Sequence, residues 1–80
     1  MNKLSGQYEE IEISTKYITL GQFLKLTNIF ESGGFIKHYL REQGVFVNNQ
    51  LENRRGRKLY VNDVVKITDG GTYIVVEERS

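Results

Sequence analysis

The 80-residue chain has no cysteine, no proline and no tryptophan, and a single histidine. Without cysteine there can be no disulfide, thiolate metal site or cysteine nucleophile, a composition that suits a reducing compartment. The one histidine, His38, has no carboxylate near it in sequence except Glu42 at i+4, so neither a metal cluster nor a histidine triad is expected. Asp63 and Asp69 sit in turn sequences, where aspartate hydrogen-bonds the backbone, and make a poor catalytic pair. No apolar run approaches the ~18 residues of a membrane-spanning helix. The start, MNKLSGQYEEIEI, also lacks the apolar stretch of about 7–15 residues of a secretory signal, so a soluble, cytoplasmic protein is expected. With no proline, low-complexity linker or internal repeat, residues 1–80 read as one domain. A chain this short buries about 60–65% of its unfolded surface, enough for one small core.

The residues that are present amount to an ordinary globular composition, 39% hydrophobic and 26% charged. Net charge is only +1, but it is unevenly spread. Residues 16–66 hold nine Lys/Arg against four acids, whereas the two ends hold two against six, so a basic centre lies between acidic termini.

Tyr8 to Ile13 alternates apolar residues with glutamates toward its end, predicting a half-buried edge strand blunted by charge. Thr19 and Gln22 have capping-box spacing, and the apolar stripe that follows predicts a helix over about 20–30, with Ile29 off the stripe. Ser32-Gly33-Gly34 interrupts this pattern. Phe35, Ile36, Tyr39 and Leu40 resume it as a second helix that stops at Gly44. Lys37 and Arg41, at i and i+4, give that helix a basic outer face. Val45-Phe46-Val47 is β-rich, and Asn48-Asn49 can supply the positive φ of a tight hairpin turn. Residues 59–61, 64–68 and 73–77 predict further strands, so the fold class is α+β: two N-terminal helices packed on an antiparallel sheet of about 4–5 strands.

Among candidate sites, Ser32-Gly33-Gly34 ahead of a helix reads either as a plain cap or as a backbone contact to phosphate. It lacks the glycines and the lysine of a P-loop. NRRGRK, residues 53–58, places Arg54, Arg55, Arg57 and Lys58 around a glycine that loosens the backbone. Short basic runs are often solvated loops, but this one follows the hairpin that Gly44 sets beside the basic helix, and arginine forks match phosphate oxygens. Four phosphate contacts would give a log K against log salt slope near roughly −3. Phe23, Phe30, Phe35 and Phe46 occupy apolar-periodic positions and are assigned to the core, while Tyr60 and Tyr73 are read as sheet cover in preference to stacking platforms. Loss of the basic loop is expected to weaken binding without unfolding the domain.

The ordered segments ITLGQFLKL, SGGFIKHYL, GVFVNNQL and RRGRKLYVNDVVKI resemble the S-four RNA-binding domain over residues 18–67, closest to its short stand-alone bacterial members of the YaaA/YbcJ type. The resemblance implies an α-L arrangement, flanked by the strands read at about 8–13 and 73–77. It also implies RNA held by Ser32, Gly33, Lys37, Asn48, Arg54, Arg55, Arg57 and Lys58, with Arg41 and Lys25 as secondary candidates. Thr19 and Gly33 stand where larger members carry arginines, and Asn49 and Asn62 where the wider pattern has glycine. The protein implied is a non-catalytic monomer that binds structured, ribosomal RNA during ribosome assembly, with no cofactor, small-molecule substrate or membrane partner. A module docking an acidic protein and a DNA-binding accessory protein remain open alternatives.

Overall fold

A computed structural model describes residues 8–79. Most of the start on which the signal-peptide reading rests, like Ser80, lies outside them. The elements in chain order are β1 (Tyr8–Ile13), β2 (Ile18–Thr19), α1 (Leu20–Leu26), α2 (Gly33–Glu42), β3 (Val45–Val47), β4 (Gln50–Glu52), β5 (Lys58–Leu59), β6 (Val64–Ile67) and β7 (Gly71–Glu77). No helix among the described residues is long and apolar enough to cross a membrane.

The class is α+β, but the main sheet is mixed and not antiparallel throughout. Its order is β1-β7-β6-β3-β4. β1 lies at one edge, with Ile11 and Ile13 inward and its glutamates exposed, and runs parallel to β7 with Ile11 beside Val75. Alternation dictates which side chains turn inward and says nothing of strand direction. With nearly the whole chain between β1 and β7, no tight turn imposes the antiparallel choice. A second correction concerns β5, which leaves the main sheet to pair with β2 in a separate two-stranded sheet. Pairing ends there because the Tyr60 N–H donates to Asp63 Oδ2 (2.8 Å) and Asn62 turns the chain at φ 83°.

Helix α1 begins with the capping box and stops sooner than the apolar stripe predicts. Thr27 Oγ1 donates to the Leu24 carbonyl (2.6 Å) and Asn28 takes φ 63°, so Leu26 is the last helical residue. Ile29, now off the helix, lies against Gly70, where an added Cβ would stand 2.8 Å from its Cδ1. That contact explains its place off the stripe. α2 takes in both glycines: Ser32 is the N-cap, its Oγ accepting from the Phe35 N–H (3.2 Å). The helix closes at Gly44, whose φ of 78° suits glycine and whose N–H donates to the Tyr39 carbonyl. Asn48 and Asn49, at φ 51° and 71°, form the two-residue β3–β4 turn.

Leu20, Phe23, Leu24, Ile36 and Leu40 from the helices share one buried cluster with Val45, Val47, Leu59, Val65, Ile67, Tyr73 and Val75. Phe35 and Phe46 do not join it; both are exposed. Phe46 lies between the inward-facing Val45 and Val47 and so points to the other face of the sheet. Phe35 turns away from the Ile36–Leu40 stripe and packs edge-on against Phe30.

Candidate nucleic-acid interface

The basic loop is built around a carboxylate, Glu52, that the charge count entered only as one of the four acids of residues 16–66. Glu52, the last residue of β4, is 6% exposed. Its Oε2 accepts from the backbone N–H groups of Asn53 (3.1 Å) and Arg54 (2.9 Å) and from Arg54 Nε (2.9 Å), while Oε1 accepts from Arg54 Nη2 (3.0 Å) and Arg57 Nη1 (2.9 Å). The Arg54 side chain, aided by its backbone N–H and by Arg57, holds the Glu52 carboxyl down to about 2 against the opposing effect of burial. Arg54 and Arg57 thus both pair their guanidinium groups with Glu52, Arg57 half-buried and Arg54 largely exposed. The sequence signal was the acid immediately ahead of the run, in Glu52-Asn53-Arg54-Arg55.

Nor is the loop slack, as its glycine suggested. Asn53 Nδ2 donates to the Leu40 carbonyl near the end of α2 (2.7 Å), anchoring the loop's start. Its middle caps α1: the N–H groups of Leu20 and Gly21 donate to the carbonyls of Arg57 (2.8 Å) and Arg55 (2.9 Å), and that of Gln22 to Thr19 Oγ1 (3.4 Å). These are helix N-terminal donors that would otherwise lack partners. An added Cβ at Gly21 would make only ordinary contact with the Arg55 backbone and side chain, at 3.5–3.6 Å, so the approach does not depend on the glycine. The loop's end enters β5.

The result is a cleft of about 310 Å³ lined by Thr19, Gly21, Gln22, Lys25, Gly33, Ile36, Arg55 and Gly56. It joins the two features singled out in the sequence, the Ser32-Gly33-Gly34 helix start and the basic loop. Lys25, a secondary candidate there, belongs to its wall, with Cε 3.7 Å and Nζ 4.0 Å from where a Gly33 Cβ would stand. The first N–H groups of α2, unlike those of α1, take no protein partner among the described residues, Phe35 and Ile36 being bonded to Ser32. Gly33, the first of these α2 residues, lies beside the Lys25 ammonium. No described carboxylate lies within ion-pair range of Lys25, Lys37, Arg55 or Lys58.

The remaining candidates fall outside this cleft. Lys37 and Arg41 follow Gly33 at four-residue steps, so they continue its stripe along α2, Arg41 within 3.8 Å of Glu42. The Ser32 hydroxyl serves as the cap. Asn48 commits its amide to the fold, donating to Asp63 Oδ1 (3.0 Å) and accepting from the Val64 N–H (2.9 Å). Lys58 lies over the Tyr17 ring. No group of three or more His, Cys, Asp or Glu residues among those described could hold a metal ion.

The S4 domain family model matches residues 11–76. A protein of Bacillus subtilis (strain 168), named "Probable ribosome maturation protein RlbA", is 56% identical over 66 residues, which span 82% of this chain and 93% of that protein. No solved structure matches the chain.

Proposed function

Because the chain belongs to the S4 domain family, we propose that it is a non-catalytic RNA-binding protein acting in ribosome maturation, and that it grips structured ribosomal RNA through the cleft between α2 and the basic loop. The relative's name supports the ribosomal setting. The observation that carries the reading is the meeting of the open α2 N-terminus, Lys25 and Arg55 in one cleft. A phosphate there would accept from the free N–H groups at the positive end of the helix while the ammonium and guanidinium neutralise its charge. Lys37 on the helix stripe and Lys58 at the end of the loop extend the grip to either side, in an α-L arrangement of the helices on the sheet. Phosphate contacts carry no base information, so the target is selected by how its backbone is folded. In this reading the protein works in the cytoplasm as a monomer.

Binding of the full chain to ribosomal RNA hairpins across a salt series tests this. Four contacts, Lys25, Lys37, Arg55 and Lys58, predict a slope near roughly −3, and Arg55→Glu should flatten it by about one contact while weakening affinity. Absence of salt-dependent binding to ribosomal RNA or ribosomal particles at low ionic strength would overturn the proposal. So would unchanged binding by the Arg55→Glu and Lys25→Glu proteins. Preferential competition by a matched DNA hairpin would move the target from RNA to DNA.

A further inference from the structure

The two-stranded sheet has an outward face that meets the cleft only at Thr19. β2 and β5 pair Thr19 with Lys58 and Ile18 with Leu59, and one further step of that register sets Tyr17 opposite Tyr60. Side chains alternate across a strand, so Ile18 and the fully buried Leu59 point to the core, leaving Tyr17, Thr19, Lys58 and Tyr60 together on the outside. The Tyr17 and Tyr60 ring centroids lie 6.0 Å apart, with the planes tilted by 49°. Lys58 Nζ is 5.0 Å from the Tyr17 centroid. Tyr60 keeps 47% of its surface exposed and Tyr17 38%. Tyr73 shows what a covering tyrosine looks like here: it is buried, with its hydroxyl donating to the Gly70 carbonyl. Tyr60 was expected to play that part and does not.

Thr19 also lines the cleft. The outward face therefore runs from the cleft past Lys58 to the tyrosines within two strand residues, ~7 Å. From this continuity we infer that Tyr60, flanked by Tyr17 and Lys58, is a stacking platform for an unpaired nucleobase of the RNA held in the cleft. The inference rests on the RNA-binding reading and adds the kind of RNA feature recognised: a bulged or looped-out nucleotide beside a duplex. One face of Tyr17 is covered by the Lys58 ammonium, an attraction between cation and ring that holds this lysine near the tyrosines. Tyr60 supplies the stacking surface, and Lys58 meets the phosphate of the same nucleotide. Every base has a π-face, so the platform accepts any of the four.

The test uses the full chain and two hairpin RNAs that differ only in one 2-aminopurine, bulged in the first and paired in the second. The wild-type protein should prefer the bulged hairpin by roughly 5- to 150-fold, the range stacking of one base supplies, and should quench its fluorescence. Tyr60→Ala should abolish both effects, Tyr60→Phe should retain them because stacking needs the ring and not the hydroxyl, and Tyr17→Ala should reduce them. Circular dichroism melting checks that each variant folds; should Tyr60→Ala not fold, the wild-type preference and its retention in Tyr60→Phe decide. Equal binding of both hairpins by the wild type, or a preference that survives in Tyr60→Ala, overturns the platform. If both hairpins bind with a salt slope near roughly −3 but without preference, stacking alone fails. Binding to neither at low salt overturns the RNA reading and the platform with it.

Discussion

Replacing Glu52 with glutamine removes one charge and almost no volume from the carboxylate at the root of the basic loop. In the folded protein that carboxyl titrates near about 2, against an ordinary value of 4.5. A shift of this size corresponds to about 3 kcal/mol of preference for the charged form. The Arg54 side chain is 74% exposed, so solvent screening trims the figure, leaving about 2–3 kcal/mol. Because the folded value is depressed, the stabilisation is fully present above pH 4.5 and is lost as pH falls toward about 2. At neutral pH Glu52→Gln should therefore lower Tm by roughly 10–20 °C. The chain has no tryptophan, so tyrosine fluorescence or circular dichroism reports the transition. Urea melts at pH 7 and pH 2.5 should show a gap between the two proteins that narrows to about a quarter at the lower pH. A variant within about 0.5 kcal/mol of wild type at pH 7, or a gap unchanged at pH 2.5, would refute the assignment of charge to this stabilisation.

Gly44→Ala should cost about 2 kcal/mol or more by denaturant melting, since φ is 78° and an added Cβ would stand 2.9 Å from the Glu52 carbonyl oxygen. Ser32→Ala should cost about 1 kcal/mol through loss of the α2 cap, with RNA affinity of the folded protein preserved if capping is what the hydroxyl does. Asn48→Ala, losing its bonds to Asp63 and Val64, should lower stability by about 1–2 kcal/mol while leaving the slope of RNA binding against salt unchanged.

Features set by neighbours in sequence were legible in the sequence itself: the Thr19–Gln22 capping box, the Gly44 stop, the Asn48-Asn49 turn and the inward isoleucines of β1. Each depends on chemistry within a few residues. What escaped depends on distant partners. The direction of β1 is decided by β7 at the opposite end of the chain, and the pairing of β5 by β2, nearly forty positions away. Apolar periodicity put Phe35 and Phe46 in the core because it counts hydrophobic residues without knowing which face the neighbouring elements cover. For the candidate site, Gly33 and Arg55 do meet, and Lys25 joins them. The pairing of Arg54 and Arg57 with Glu52 was hidden because charge counting treats all four cations of the loop as equally free.

That pairing changes what removing the loop would mean. A loop of four loose cations could be deleted with loss of binding alone, the outcome its sequence suggests. Here the backbone carbonyls of Arg55 and Arg57 cap α1, Asn53 ties the loop to α2, and Glu52 is buried beneath it. Deletion would leave α1 donors unpaired and pull β5 from β2, so stability and binding would fall together and neither could be assigned. Arg55 is the exception, because its backbone does the capping while its side chain lines the cleft without a described carboxylate partner. The same restraint would favour the proposed binding. Loop atoms already held in place lose little conformational freedom when a phosphate arrives, so more of each contact's energy reaches the complex. Glu52 reduces the loop's positive charge, yet it fixes the backbone that aims Arg55, which makes the carboxylate part of the construction of the proposed binding surface.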